Sequence, residues 1–516
     1  MTPPASGPTT VRLSAAPLWA AQEEVYREAG PQAWLGEEAI PSYISNCALL
    51  ARSYAETAVG FVRDAADAGQ LDPAEPLVVV ELGAGTGRFG YLLARELQRR
   101  LVAGRFAGWR LRYVLTDLGD RSAYWGEHPC LRPLVEQGVL DFARYDCTRD
   151  DSLTLLRSGG TLGPGSLANP VVAVANYVFD SIPHDLFRVR GDVLEEGRVE
   201  IPAGGLPPGE AGQIRFVPLG AGAAAYPDDP DLSAVPGEYR EQLDDVAFLI
   251  PVSAVEAVRR LGALSGRLLL LVGDKGYCRT DQFALFGESP HLARHGPTLS
   301  VAVNFHALAR YFERRGGTLL LPADPVVQFV AAAGVLGVPP GELPEIRAAY
   351  GDAVDGLPLV DHLPLLTNPL PESADLDHLL AILNVCHYDP EAILRHAEGF
   401  AGQARSADPA TAARLARALE RVRENFFPVG PEDARVPRRM GQLMFVAGLP
   451  QVALEYLQQA LDLNETAQQA KTLFNMALCH RALGQVGEAE RCLTEAARLD
   501  PSDSQIPALL SQLRAP

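Results

Sequence analysis

The residues best suited to chemistry lie in a glycine-rich turn that follows an apolar run. The run Leu77–Leu82 is typical of a buried strand, and Tyr91–Leu97 is typical of an amphipathic helix. Between them stand Gly83, Gly85 and Gly87. Glycine is needed where the backbone takes positive φ or passes close to a ligand. A strand, a glycine turn and a helix at the carboxyl end of a parallel sheet form a pocket typical of nucleotide-like ligands.

The segment Glu81–Gly87, Glu-Leu-Gly-Ala-Gly-Thr-Gly, resembles the first motif of class I S-adenosylmethionine (SAM) dependent methyltransferases. No Gly-Lys-Ser/Thr follows it, which argues against a Walker loop. A dinucleotide-binding turn and a tight loop without a ligand are the alternatives. The resemblance implies SAM as the cofactor, with S-adenosylhomocysteine as its product.

Acidic residues lie at or just after the ends of the next two predicted strands, where a SAM site needs them. A carboxylate accepts two hydrogen bonds from a ribose diol, so Asp117 is the candidate ribose acid. Asp146, beside Cys147, is the candidate for the adenine amino group, with Asp141 as the alternative. The alternative interpretations are that Asp117 lies in a solvated turn and that Asp146 caps a helix. The positions assigned to SAM are Glu81, Gly83, Ala84, Gly85, Gly87, Asp117, Leu118, Asp146, Cys147 and Asn176.

The fourth predicted strand ends in a segment suited to methyl transfer. The spacing from Asn176 to Phe179 resembles the Asn-Pro-Pro-Tyr/Phe signature of amine methyltransferases. An asparagine oxygen accepts a hydrogen bond from an amine, and an aromatic ring stabilises cationic character. Asp180 is a candidate base or partner for a cationic side chain, and His184 is either a base or a packing residue.

Four features in order carry a closer resemblance: three short segments and the hairpin that follows the first of them. Asn176–Pro183, Asp274–Tyr277 and Val301–Phe305 resemble the MidA-type methyltransferases, which carry Asn-Glu-Phe-Phe-Asp-Ala-Leu-Pro, then Asp-Tyr-Gly-Tyr, then His-Val-Asp-Phe. That family includes the mitochondrial complex I assembly arginine methyltransferase. The resemblance covers residues 40–325 and implies SAM binding and a protein acceptor, with arginine as a candidate side chain.

The chain departs from the family pattern near the expected acceptor. Guanidinium recognition normally uses paired carboxylates, and two acids are lost here, while Asp180 and Asp274 remain. Glu288 and His291 lie in a loop that could reach the site. The departures are Tyr177 for the family's Glu, Lys275 for its Tyr and Asn304 for its Asp.

Strand and helix patterns alternate from residue 76 to about 190, which predicts a parallel sheet covered by helices. The predicted fold is α/β, a class I methyltransferase Rossmann-like sheet with helices on both faces, followed by an all-α repeat domain. The candidate strands are Leu77–Leu82, Arg112–Asp117, Val139–Tyr145, Val171–Ala175, the hairpin Phe187–Arg190 with Arg198–Ile201, Arg267–Val272, Thr298–Val303 and Gly317–Leu321.

The last 80 residues contain an internal repeat. Gly448, Ala453, Leu457 and Ala460 recur 36 residues later as Gly484, Ala489, Leu493 and Ala496. The pattern is similar to tetratricopeptide repeats, which stack as helix pairs; a generic pair of helical hairpins is the alternative. The predicted organisation is a disordered tail at 1–16, a helical lid at 17–75, the methyltransferase domain at 76–325, a helical linker domain at 326–429 and repeats at 430–516.

Composition limits the classes of function. The chain has 516 residues and a formal net charge of −19, which argues against a nucleic-acid partner. The longest apolar stretch, Val326–Val338, is too short to span a bilayer. No signal peptide is expected, and the seven dispersed cysteines predict reduced thiols, a cytoplasmic protein and no metal site.

The resulting prediction is a SAM-dependent methyltransferase that N-methylates a protein or peptide side chain docked by the repeats. The alternatives are a small-molecule methyltransferase whose repeats form a homodimer, a catalytically inactive scaffold, and a nucleotide-dependent oxidoreductase.

Overall fold

A computed structural model of the chain divides into two compact units, Met1–Val360 and Asp361–Pro516. The residues that it describes are 9–30, 44–102, 105–106, 108–207, 210, 212–220, 222–286, 293–295, 298–368, 370, 374–463 and 468–514.

The strands lie in the first unit. In chain order they are β1 (Thr9–Arg12), β2 (Leu77–Leu82), β3 (Leu111–Asp117), β4 (Leu140–Arg144), β5 (Leu153–Thr154), β6 (Thr161–Leu162), β7 (Val171–Asn176), β8 (Asp185–Arg190), β9 (Val193–Ile201), β10 (Gln213–Pro218), β11 (Val246–Ile250), β12 (Leu268–Asp274), β13 (Gly276–Tyr277), β14 (Ala293–His295), β15 (Thr298–Ser300), β16 (Val303–Asn304), β17 (Thr318–Leu320) and β18 (Val330–Leu336).

The helices follow from the same pattern of buried and exposed faces. They are α1 (Pro17–Ala29), α2 (Ala48–Asp67), α3 (Arg88–Val102), α4 (Ser122–Glu127), α5 (Arg132–Glu136), α6 (Pro230–Gln242), α7 (Val252–Ala263), α8 (Phe305–Arg314), α9 (Pro344–Tyr350), α10 (Leu359–Thr367), α11 (Leu376–Val385), α12 (Pro390–His396), α13 (Ala401–Arg405), α14 (Pro409–Asn425), α15 (Arg435–Val446), α16 (Pro450–Asp462), α17 (Gln469–Ala482), α18 (Val486–Leu499) and α19 (Gln505–Arg514).

A seven-stranded sheet organises the first unit, in the order β17-β18-β12-β7-β2-β3-β4. The five strands from β12 to β4 are parallel, whereas β18 is antiparallel to both of its neighbours. Parallel strands place their carboxyl ends at one edge, where ligands bind in open α/β sheets. The predicted Rossmann-like sheet is therefore confirmed.

Both faces of this sheet are covered. Alternate residues along β2, such as Val78 and Val80, share one core with residues of α6, α7 and α8. On the opposite face, Gly90 of α3 packs against Leu115 and Glu81. Helices on both faces agree with the near-continuous apolar strands of the sequence.

Residues 9–16 depart from the predicted disordered tail. Thr9–Arg12 pairs antiparallel with Ile201–Arg198 of β9, and Leu13–Ala15 forms a short 3-10 turn. Arg12 lies within 3.4 Å of Asp185 and 2.6 Å of Glu196, two buried carboxylates that require a cation. The prediction failed because these partners are remote in sequence.

The expectation that strands end near residue 325 is also wrong. Residues 330–336 form β18, inside the region predicted to be a helical linker domain. Both edges of β18 carry strand partners, and the second compact unit begins at Asp361.

The second unit is helical and contains the predicted repeats. Gly448 and Gly484 take φ of +79° and +73° in the turns that follow α15 and α17. The small residues Ala477 and Ala489 are fully buried, so that α17 and α18 approach closely. Among the residues described, no helix is both long and apolar enough to cross a membrane.

We predict that Gly90→Ala destabilises the first unit. A Cβ there would lie 2.3 Å from Leu115 Cδ2 and 2.5 Å from Glu81 Oε2. Overpacking of this kind costs about 1–3 kcal/mol. The control is Gly262→Ala in α7, whose Cβ meets nothing nearer than 3.9 Å and which should be neutral or stabilising by up to about 1 kcal/mol. Urea unfolding of both variants tests this, and equal stabilities would contradict it.

Candidate functional site

The glycine turn after β2 is held against the neighbouring strand. Gly83, Gly85 and Gly87 have φ of +58°, +53° and +79°, the left-handed region that glycine favours. The Gly85 nitrogen donates a 3.1 Å hydrogen bond to Asp117 Oδ2. Asp117 also pairs with Arg121, whose Nε lies 2.8 Å from the same oxygen. The turn is thus fixed by an acid from β3.

Two adjoining cavities open beside this turn. Cavity A has a volume of about 190 Å³ and is lined by Tyr26, Ser45, Asn46, Glu81, Leu82, Gly83, Ala84, Gly85, Thr86, Phe89, Asn176, Tyr177, Asp180, Ser181, Lys275, Thr298 and Ser300. Cavity B has a volume of about 320 Å³ and is lined by Ser14, Ala15, Ala16, Trp19, Ala20, Glu23, Tyr26, Leu82, Gly83, Asp117, Leu118, Tyr145, Asp146, Cys147, Thr148, Arg149, Tyr177, Val178, Ser181, Ile182 and Pro183.

The structure brings most of the predicted site residues to these two cavities. Those that line one or both are Glu81, Gly83, Ala84, Gly85, Asp117, Leu118, Asp146, Cys147, Asn176 and Asp180. Gly87, Phe179 and His184 are not in contact with either cavity. A Cβ on Gly87 would come within 3.1 Å of Trp125 and Leu131, so this glycine serves close packing.

The two candidates for adenine recognition have different surroundings. Asp146 lines cavity B, although Oδ1 accepts hydrogen bonds from the nitrogen and hydroxyl of Thr148 at 2.9 and 2.7 Å. Asp141 instead accepts from the backbone of Arg157 and Ser158 and supports that loop. The alternative assignment to Asp141 is therefore not supported by its position.

Phe179 and His184 correct the expectation that they face an acceptor. Both side chains are fully buried, and Phe179 belongs to the core beneath the sheet. The His184 ring nitrogen Nε2 lies 2.7 Å from the Phe179 carbonyl oxygen, and the ring stacks on Trp19. Burial lowers the pKa of His184 to about 4, which leaves it neutral at pH 7. It positions the 179–181 turn and has no access to either cavity.

Asn176 lines cavity A with its amide already engaged. Oδ1 accepts a 3.0 Å hydrogen bond from the Tyr54 hydroxyl, and Nδ2 donates to the Ser45 carbonyl at 3.1 Å. The amide is therefore locked in one orientation. The next residue, Tyr177, has φ of +50°, a strained conformation for a non-glycine residue of the kind concentrated at functional sites.

Asp180 and Lys275 line cavity A, and the backbone nitrogens of both residues donate to the Asp274 carboxylate. Asp180 Oδ1 accepts from Ser181, and Oδ2 lies 3.8 Å from Lys275 Nζ. Lys275 also donates to the Ser300 hydroxyl. Asp274 is fully buried and does not line the cavity. Burial raises the pKa of both carboxyl groups, and desolvation lowers that of Lys275.

The family departures differ in their consequences. Tyr177 and Lys275 line cavity A, so they alter the chemistry of its wall. Asn304 is fully buried, accepts from the Ala307 nitrogen and donates to the Leu249 carbonyl, which makes it a helix cap. Glu288 and His291 lie outside the described residues.

The predicted helical lid at 17–75 includes α1, but sequence reasoning did not identify which α1 residues reach the site. Trp19, Glu23 and Tyr26 line cavity B, and Tyr26 lines cavity A as well. Gln22 donates to the Ser181 carbonyl at 2.7 Å, and Glu23 forms two 2.8 Å contacts with Arg149. The helical pattern of this region was visible, but no local motif signals these contacts.

Comparisons with known proteins find one repeat family and several similar structures. Residues 470–503 match the tetratricopeptide repeat family, which confirms the repeat prediction. A search of curated proteins returns no match. A thermophilic tetratricopeptide repeat protein from Thermus thermophilus is 17% identical with a TM-score of 0.22, and the match covers 34% of this chain and 91% of that chain.

Two similar structures come from Burkholderia thailandensis. One, an uncharacterized COG1565 superfamily protein, is 15% identical with a TM-score of 0.38, and the match covers 73% of this chain and 83% of that one. The other, a COG1565 member and candidate methyltransferase bound to S-adenosyl-homocysteine, is 15% identical with a TM-score of 0.32, covering 60% and 73%.

Both Burkholderia proteins are COG1565 superfamily members, which are MidA-like. At such TM-scores the fold assignment rests on the strand order of this chain. That order and the glycine turn define an α/β domain of the class I methyltransferase type, joined to a helical repeat region.

We predict that Glu81 makes stability depend on pH. Its Oε2 accepts a 2.8 Å hydrogen bond from Tyr113, and burial raises its pKa to about 8. An unfolded glutamate titrates near about 4.3, so between these values only the folded chain holds the proton. The contribution of Glu81 to the free energy of unfolding is therefore greatest at low pH. It falls by about 1.4 kcal/mol per pH unit as the pH rises between these two pKa values.

Glu81→Gln should remove this slope. The free energy of unfolding of the parent should fall relative to that of the variant by about 2.5 kcal/mol between pH 5.5 and 7.5. The exposed Glu127→Gln is the matched control and should keep the parent profile. Parallel profiles for the parent and Glu81→Gln would show that Glu81 does not hold the proton.

Proposed function

We propose that this chain is a SAM-dependent methyltransferase that N-methylates a side chain of a protein or peptide bound by its repeat unit. The observation that supports it is the arrangement at the carboxyl edge of the sheet. There the glycine turn, Asp117 and Asp146 surround cavity B, while Asn176 and Asp180 line cavity A.

The residues of cavity B fit the cofactor. Its volume of about 320 Å³ falls at the lower end of the range of about 300–1,000 Å³ for small-molecule sites. Asp117 supplies a buried carboxylate for a diol, with Leu118 and Tyr145 as apolar wall for an adenine ring. When bound, SAM supplies a methyl group carried on a positively charged sulfur.

Cavity A supplies what methyl transfer requires of the protein. Alignment and exclusion of water dominate this reaction, and a strong nucleophile is unnecessary. Tyr26 of α1 lines both cavities and shields them from one side. Asp180, whose Oδ2 faces Lys275, is positioned to accept a proton from the nucleophile.

The repeat unit supports a protein acceptor. Stacked helical repeats present extended surfaces that bind peptides, and a repeat family match covers residues 470–503. A cytoplasmic location, suggested by the dispersed free cysteines, belongs to the same proposal.

We predict that Asp117→Ala weakens SAM binding at least about tenfold, because a ribose carboxylate contact is worth about 1.4 kcal/mol or more. Isothermal titration with SAM and S-adenosylhomocysteine measures this. The control is Asp120→Ala, an exposed acid three residues away, and thermal unfolding without ligand verifies folding. A parent chain that binds neither compound would overturn the enzyme proposal and favour the scaffold.

A second prediction concerns the acceptor. Methyl-labelled SAM and the purified chain are added to a lysate of source cells that lack the gene, and the products are separated by size. We expect label in a discrete protein band, with mass spectrometry naming the residue. Label confined to small molecules would replace this proposal with a metabolite methyltransferase.

A further inference from the structure

We propose that the acceptor of this site is an uncharged carboxamide, such as the side chain of glutamine or asparagine, and that Lys275 excludes cationic acceptors such as arginine. This inference rests on the proposed methyl transfer and specifies its substrate class.

The carboxylates near cavity A are not available to a guanidinium group. Asp274 accepts hydrogen bonds from the backbone nitrogens of Asp180 and Lys275 at 3.1 and 3.0 Å, one on each oxygen, and is fully buried. Glu81 accepts from Tyr113, and its pKa of about 8 keeps it protonated at neutral pH. Among the described lining residues, Asp180 is the acid that remains for an acceptor.

Asp180 already faces a resident cation. Lys275 Nζ lies 3.8 Å from Asp180 Oδ2, and its side chain is 23% exposed. A guanidinium or ammonium group that entered beside Asp180 would lie close to the Lys275 ammonium, which is already partly desolvated. The two positive charges would repel each other at this short distance. The cavity wall therefore selects against a second positive charge.

The same pair is complementary to a carboxamide. At 3.8 Å the two groups form an ion pair that is too long for a hydrogen bond. Lys275 has three N–H donors and spends one on Ser300. A donor and an acceptor therefore stand side by side, which matches the oxygen and the NH₂ of one amide group. Lys275 would bind the oxygen, and Asp180 would accept from the nitrogen.

The chemistry balances with these groups. The amide nitrogen forms a bond to the methyl carbon as the carbon–sulfur bond breaks, and the sulfonium becomes a neutral thioether. The nitrogen loses one proton to the Asp180 carboxylate, which passes it to solvent. Lys275, by donating to the amide oxygen, stabilises the charge that gathers there when the nitrogen is deprotonated.

The first test measures binding by saturation-transfer NMR on the full chain saturated with S-adenosylhomocysteine. The probes are N-acetylglutamine methylamide and N-acetylarginine methylamide. We expect signals from the glutamine probe and none from the arginine probe. Equal signals from both, or signals from arginine alone, would overturn the inference.

Lys275→Met separates this role from a structural one. It should weaken the glutamine signal at least about tenfold, the cost of one charged hydrogen bond, and admit the arginine probe, while S-adenosylhomocysteine affinity stays at the parent value. The control is Lys471→Met, an exposed lysine of the repeat unit, which should change neither. A Lys275→Met chain that keeps the parent selectivity would contradict the proposal.

Product analysis gives an independent result. Acid hydrolysis of the labelled protein should release labelled methylamine, because an N-methylated amide is cleaved under these conditions. Labelled methylarginine or methyllysine from a chain that binds SAM would overturn the carboxamide acceptor and leave the methyltransferase proposal intact. A chain that binds no SAM would instead remove the proposed function itself.

Discussion

The hydrogen bond from the Gly85 nitrogen to the Asp117 carboxylate is the contact on which the rest of the site depends. It ties the turn after one strand to the end of its neighbour and buries a charge that must be compensated. Arg121 supplies the compensation and also donates to the Tyr26 carbonyl. One buried ion pair therefore links the glycine turn, the neighbouring strand and α1, which covers the cavities. Such pairs set geometry more than they add stability.

The central strands were predictable because burial imposes a pattern that survives in the sequence. Leu77–Leu82 and Val171–Asn176 are apolar runs bounded by polar turns, and the structure places them side by side. β18 was not predictable, since its three consecutive alanines favour a helix. Its small residues are required by tertiary packing, because a Cβ on Gly334 would lie 2.5 Å from the Phe312 ring.

Some residues of the candidate site were likewise predictable from the sequence, and others were not. Asp117 and Asn176 were found because each stands at the carboxyl end of a recognisable strand. Phe179 was misplaced because the short turn at 179–181 directs neighbouring side chains to opposite sides, and sequence proximity does not reveal which one enters the cavity. Gln22 and Tyr26 carry no motif at all, since their relevance arises from partners far along the chain.

The placement of the first described residues has a consequence for how the chain matures during synthesis. Thr9–Arg12 pairs with residues of β9, and the Gln22 side chain accepts from the Leu299 nitrogen, 277 residues away. Because β1 and α1 are translated well before these partners, they cannot form these contacts until most of the first unit has been synthesised. The glycine turn and its acid can form earlier, so the wall of the binding site is completed in reverse order of translation. Contacts between residues so far apart in sequence form slowly. The docking of β1 and α1 is therefore the step at which a nascent chain completes its cavities.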